Sequence, residues 1–231
     1  RSGAVASTSR REWEALHQCG AVVRVRRCDT AEPLDVRRLL GACSDDFSRL
    51  SSVWHTAGVL SDGTLPMQSA VTLVRVDGPK ANSSLVLQRL CAFPLQAFVL
   101  FSSIAALLGG AGQSNYSAAN SCLDALACHR RAASLAAVSI QWGPWADIGM
   151  AAGQAISTRL SASGIGMIAI PAGLAAMQVA LQPHGPAVVA MMPVQWGRLL
   201  KRGETVPTFL STFTPVEDVA PKAVRPVEAE C

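Results

Sequence analysis

The sequence predicts an α/β protein built on a parallel, doubly wound sheet, and three observations point there. Short apolar runs of strand length alternate with stretches of helical period along most of the chain. The runs are nearly continuous rather than alternating, as strands covered on both faces require. The order strand, helix, strand repeats, which implies parallel pairing through crossover helices.

Five runs read as strands, rich in Val, Ile and Phe: "GAVVRVRRC" (20–28), "LSSVWHTAG" (50–58), "LQAFVLFSS" (95–103), "LAAVSIQWG" (135–143) and "PAVVAMMPV" (186–194). Between them, helices are expected over Glu32–Cys43, over roughly 70–91, over Ser114–Arg131 and over Pro171–Leu181. The second is expected to be interrupted at Gly78-Pro79. After about Gly203 the period stops, and repeated prolines punctuate scattered Val and Glu. The expected division is therefore a domain over 1–202 and a Pro-rich linker over 203–231.

At 231 residues the chain is long enough for one domain with a sizeable core. Half the residues are hydrophobic and 16% are charged, which argues against a disordered chain. Aromatics make up only 5%, so Ala, Val and Leu must fill the interior. The formal charge of +4 is modest. The arginines of "STSRREW" and "VVRVRRC" have no interleaved aromatics, which argues for a solvated surface or one small anionic cofactor over a nucleic-acid face. Seven cysteines form no CxxC pair, so the spacing argues against structural zinc and fits reduced thiols inside a cell. The longest apolar run, "IGMIAIPAGLAAMQVAL", is broken by Pro171 and Gly173 and is too short to span a bilayer. Neither a membrane nor a nucleic acid is expected as a partner.

Tyr116 is the only tyrosine. It falls in the first turn of the expected helix Ser114–Arg131, with Asn120 four residues later on the same face. Ser103 ends the strand "AFVLFSS", and ligands of open parallel sheets bind at the carboxyl ends of strands. The glycine-rich connection at 107–112 lets the chain turn back and bring Tyr116 towards Ser103. Two readings stand: a packed tyrosine with a satisfied hydroxyl, or a proton donor. A third feature concerns the first strand, before which no G-x-G-x-x-G turn appears. The expected sheet thus lacks the first strand and Gly-rich turn that would hold a pyrophosphate.

The run "AFVLFSSIAALLGGAGQSNYSAANSCLDALA" resembles the core of the ketoreductase domains of modular polyketide synthases and multidomain fatty acid synthases. These form a branch of the short-chain dehydrogenase/reductases, whose sheet is Rossmann-like. "VWHTAGVLSDGTL" (53–65) resembles the family's His-Ala-Ala-Gly-Val strand and loop, and "GPKANSSLVLQRL" (78–90) its Pro-Lys helix. "SIQWGPWADIGMA" (139–151) resembles its cofactor-side loop, and "RSG" with "CDTAE" the turns beside the adenosine. The likeness runs from Arg1 to about Leu200.

The resemblance implies that Tyr116 is the general acid, Ser103 holds the carbonyl oxygen, Lys80 eases the proton's departure and Asn120 orders the water or lysine beside it. Most short-chain reductases carry that lysine four residues after the tyrosine, where this chain has Asn120. The ketoreductase branch takes it from the preceding helix, and Lys80 stands there, 23 residues before Ser103. Arg75 is a rival cation, but an arginine stays charged and cannot relay a proton.

The cofactor implied is NADPH. Arg1 and Ser2 would meet its 2′-phosphate, and Asp29 its adenine, although a helix N-cap explains Asp29 as well. His55, Ala57 and Gly58 would line its ribose. Trp142, Gly143 and Trp145 would form a loop over the nicotinamide, with burial in the core as the other reading of the tryptophans. Leu60 and Asp62 match the first and last members of a Leu-Asp-Asp stereocontrol motif, and Leu108 stands where the other stereochemical type has tryptophan. Together with Gln113 they imply a D-configured β-hydroxyl. The implied substrate is a β-ketoacyl thioester on the phosphopantetheine of an acyl carrier protein, with other synthase domains in the same chain. A cytoplasmic location is expected, with a plastid left open. The competing reading is a non-catalytic structural fragment that needs a neighbouring segment to bind cofactor.

Overall fold

A computed structural model describes residues 10–46, 50–91, 93–146, 154–201 and 205–214. Arg1 and Ser2 lie outside these residues. Four strands, β1 (Ser52–His55), β2 (Ala97–Ser103), β3 (Val138–Trp142) and β4 (Val188–Met191), pair in that order, parallel throughout. The helices are α1 (Arg10–Gln18), α2 (Pro33–Asp46), α3 (Ala70–Asp77), α4 (Ser83–Leu90), α5 (Ala105–Leu108), α6 (Ser114–Ala132), α7 (Gln154–Ala162), α8 (Ile170–Ala180) and α9 (Trp196–Leu199). Each crossover between neighbouring strands carries helix, as parallel pairing demands.

β2 is the spine because its sequence is apolar on both faces. Phe98 and Leu100 join Val86, Leu87, Leu123, Leu126 and Ala127, so α4 and α6 cover one face. Val99 packs with Val138, Ile140, Trp142 and Ala180, so α8 borders the other. Each of these Val, Leu, Ile and Phe side chains, once buried, contributes roughly 1.5–3 kcal/mol. Arg130 ties the first layer together. Its guanidinium stacks 4.1 Å from the Phe98 ring centroid and donates to the Ala136 carbonyl at 3.1 Å and to Gln88. Such a buried cation is tolerable only with its donors occupied.

α3 begins at a reciprocal cap: the Ser69 hydroxyl accepts from Thr72 N–H at 3.3 Å, and Thr72 Oγ1 accepts from Ser69 N–H at 2.8 Å. The expected interruption at Gly78-Pro79 is a π turn over Gly78–Asn82, through which α3 runs directly into α4. The chain does not break there.

One of the five expected strands differs from the structure. Residues 21–29 form no strand. A strand exists by its ladder, and no described strand lies beside this segment; Val22 and Val25 stand 62% and 42% exposed among arginines. Beyond residue 203, Thr208–Phe213 forms a 3₁₀ turn with Leu210 buried, and Phe213 stacks on Trp196 with centroids 4.2 Å apart. Aromatic stacking thus gives local order to a stretch with no period. No helix among the described residues is long and apolar enough to cross a membrane.

Candidate active site

β2 delivers Ser103 to the carboxyl end of the sheet, where its Oγ accepts from Ala105 N–H at 3.2 Å and starts α5. The chain then reverses through Gly109 and Gly112, whose φ values of 75° and 74° suit glycine. Gly112 also accepts from Gly63 N–H at 2.8 Å, pinning this turn to the loop after β1. α6 starts at Ser114 and sets Tyr116 in its first turn, buried with Val76, Ala105 and Ala119 and flanked by Leu60. Asn115 fixes that start, accepting from Tyr116 N–H at 2.7 Å and donating to the Ser61 carbonyl at 2.9 Å.

Lys80 arrives from the π turn. Its Nζ donates to the Phe101 carbonyl at 2.8 Å and lies 5.4 Å from the Tyr116 ring centroid, within cation–π range. The side chain is 3% exposed and pairs with no carboxylate among the described residues. Burial pushes its ammonium down to about 8, with the Asp124 carboxylate pulling the other way. Arg75, the rival cation, is exposed on α3. Gly58 leaves room for the lysine: a Cβ there would fall 2.8 Å from Lys80 Cε.

Burial also pushes the Tyr116 phenol up, while the neighbouring Ser103 hydroxyl and Asn120 amide favour its ionised form and Asp62 opposes it. Asn120 Nδ2 donates to the Tyr116 carbonyl at 2.8 Å, and Ser102 Oγ donates to the Asn120 carbonyl at 3.3 Å. Asn120 Oδ1 is buried with no partner among the described residues. A buried acceptor left bare in a polar cluster suits an ordered water. Phenol, hydroxyl, amide and ammonium thus converge at one end of the sheet.

The family model described as "KR domain" matches residues 1–147. The chain belongs to the ketoreductase-domain family. It is 43% identical over 187 residues to the pikromycin polyketide synthase component PikAII of Streptomyces venezuelae, covering 77% of this chain and 5% of that protein. It is 37% identical over 231 residues to the polyketide synthase GfsA of Streptomyces halstedii, covering 99% of this chain and 3% of that one. Among solved structures it resembles PlmKR1, the ketoreductase from the first module of phoslactomycin biosynthesis in Streptomyces sp. HK803. There the TM-score is 0.84 at 31% identity, over 93% of this chain and 50% of that chain. The chain therefore spans a few per cent of the synthases it matches and half of that ketoreductase. The parallel sheet with flanking helices is the short-chain dehydrogenase/reductase fold.

Other residues singled out in this ketoreductase domain occupy varied places. His55 ends β1, buried, with Nε2 2.5 Å from Ser83 Oγ; burial and then the Lys80 charge push its imidazole down to about 4. Ala57 is exposed and Gly58 half-buried just beyond. Asp29 accepts from Ala31 N–H at 3.2 Å, two residues on, at the approach to α2. Trp142 is the last residue of β3 rather than part of a loop, with its ring among Phe101 and Trp145 in the core. The continuous apolar run carries it there. Gly143 lies against β4, where a Cβ would fall 2.6 Å from Met192 Cβ. Asp62 accepts from Gln113 Nε2 at 3.0 Å, joining the two loops beside Tyr116, and Leu108 is half-buried on α5. Sequence reasoning missed Ser83, Asn115 and Ser102. Their only signal is position, beside Lys80, Tyr116 and Ser103.

Proposed function

We propose that this domain reduces a β-ketoacyl thioester, held on the phosphopantetheine of an acyl carrier protein, to the β-hydroxyacyl thioester, using NADPH. One observation carries the reading: Lys80 Nζ sits 5.4 Å from the Tyr116 ring centroid with Ser103 beside the phenol. When bound, the nicotinamide supplies the hydride that goes to the ketone carbon. The Ser103 hydroxyl holds the ketone oxygen by donating to it. Tyr116 gives that oxygen its phenolic proton, and the nearby ammonium of Lys80 stabilises the phenolate left behind. Asn120 Oδ1 holds the water through which Lys80 returns a proton to Tyr116. Hydride on carbon and proton on oxygen complete the alcohol.

The residues fit the nicotinamide end of such a cofactor, because the proton-donating groups meet at the carboxyl ends of the strands. The backbone at Ala57 and Gly58, just past β1, and at Gly143, just past β3, borders the same end. Asp29 is the proposed contact for the adenosine, and Arg1 and Ser2 for the 2′-phosphate. Leu60, Asp62, Leu108 and Gln113 border the acyl chain and favour the D-hydroxyl.

A second reading is a structural segment of a synthase that binds no cofactor unaided. It is favoured by β1, which pairs on one side only among the described residues and leaves Trp54 46% exposed. The complete polypeptide carrying this sequence, supplied with a β-ketoacyl carrier protein, is expected to oxidise NADPH and yield the D-alcohol. NADPH binding without any turnover would contradict the first reading, and NADPH binding by the complete polypeptide but not by residues 1–231 alone would support the second.

A further inference from the structure

The helix carrying Lys80 departs from α-helical geometry where the lysine leaves it. In the π turn Gly78–Asn82, Ser83 N–H reaches back to the Gly78 carbonyl and also meets the Lys80 carbonyl. Pro79 explains the turn: it has no N–H to give, and its ring crowds the carbonyl of Arg75, four residues earlier. One extra residue in the turn relieves that crowding.

The same rearrangement strands the Pro79 carbonyl, whose α-helical donor would be Ser83 N–H. The Ser83 hydroxyl replaces that donor at 2.7 Å, with the Lys80 carbonyl 3.2 Å away. A hydroxyl has one proton, so Ser83 Oγ can only accept from His55 Nε2, 2.5 Å distant. Nε2 therefore carries the imidazole proton. His55 Nδ1 is left buried with no partner among the described residues. An apolar side chain would fill this site without that penalty. Packing alone does not account for the histidine.

The contact joins two elements whose relative place decides the chemistry. His55 ends β1, and Ser83 starts α4 directly after the turn that carries Lys80. One residue more or fewer in a helix rotates all the downstream side chains by about 100°. Lys80 reaches the Phe101 carbonyl only while the turn keeps this register.

We propose that His55 is a positioning residue for Lys80: through the Ser83 hydroxyl it fastens the π turn to the carboxyl end of β1, and so fixes where the lysine meets Phe101 O and Tyr116. The inference rests on the ketoreduction reading above.

The test uses the complete polypeptide, NADPH and a β-ketoacyl N-acetylcysteamine thioester. Ser83→Ala and His55→Leu are expected to lower kcat roughly tenfold or more, with KM for NADPH within about twofold. His55→Gln, whose Nε2 donates from a similar reach, is expected to recover most of the loss. In a Lys80→Met background, His55→Leu is expected to bring no further loss, because its effect runs through the lysine. Wild-type kcat in both single variants, failure of glutamine to rescue, or a full additional loss without Lys80 overturns the proposal. Should His55→Leu not fold, Ser83→Ala and His55→Gln carry the comparison. If the unsubstituted protein reduces no ketone, the ketoreduction reading has failed instead. Amide exchange at Ser83 then decides: faster exchange in Ser83→Ala than in wild type supports the fastening, and equal exchange removes it.

Discussion

Lys80 Nζ lies 5.4 Å from the centroid of the Tyr116 ring and holds the Phe101 carbonyl at 2.8 Å, two residues before Ser103 on β2. The lysine thus stands on the strand that presents the hydroxyl and under the ring that presents the phenol. No carboxylate among the described residues forms a salt bridge with it, and Asp124 offsets the cost of its burial only in part. That burial has consequences for stability as well as for catalysis.

The first concerns alkaline pH. The Lys80 ammonium titrates at about 8 when folded, against 10.5 ordinarily. Between those values the unfolded chain binds more protons, so this group makes stability rise with pH across pH 8–10.5. At pH 7 the buried charge costs roughly 3 kcal/mol, partly offset by about 1 kcal/mol from its hydrogen bond. Lys80→Met is expected to raise stability at pH 7 by about 1–2 kcal/mol while lowering kcat roughly 10²-fold, to a residual rate that can still be measured. Urea denaturation at pH 7 and pH 9.5 checks this, and the gap between variant and wild type should narrow at the higher pH.

On the acid side His55 contributes. Its imidazole titrates at about 4 when folded, against 6.5. Its contribution is intact above pH 6.5 and is lost as pH falls towards 4, because the unfolded chain takes the proton first. The loss is of order 3 kcal/mol. A His55→Gln variant should show a flatter stability profile between pH 4 and 6.5.

Gly58 is expected to matter for rate more than for folding. A Cβ there would fall 2.8 Å from Lys80 Cε, and a flexible side chain gives way before a backbone does. Gly58→Ala should therefore displace the ammonium from Tyr116, lowering kcat roughly tenfold with Tm nearly unchanged. Steady-state kinetics beside a thermal melt tests both halves.

Arg130 sits far from the chemistry and should show the opposite pattern. Arg130→Ala removes the stack on Phe98 and strands the Ala136 carbonyl and Gln88. A loss of about 2–4 kcal/mol is expected, with kcat per folded molecule retained. Denaturation midpoints and an active-site titration measure the two quantities.

The sheet is legible where burial writes a continuous apolar run, as in "AFVLFSS" for β2 and "AAVSIQW" for β3. "GAVVRVRRC" has the same local signal and forms no strand, because pairing depends on a partner distant in sequence. α5 and α9 are too short for a helical period to register. Among the candidate site residues, the places of Ser103 and Tyr116 are legible as a strand end and a helix start. Lys80 is placed by family resemblance. The π turn is not visible in the sequence, since Pro79 reads as a break until the partners of the carbonyls around Ser83 are known. Trp142 belongs one element earlier than expected because its strand runs on to the last apolar residue. His55 reads as a cofactor neighbour, and only three-dimensional contact reveals Ser83 as its partner.

The central claim is that Tyr116 donates the proton that completes the alcohol, and Tyr116→Phe tests it most directly because it removes one oxygen and keeps the ring. Measured on the complete polypeptide, NADPH should still bind with about the same Kd while kcat for ketone reduction falls roughly 10²-fold or more. Unchanged turnover in a variant that binds NADPH would contradict the account.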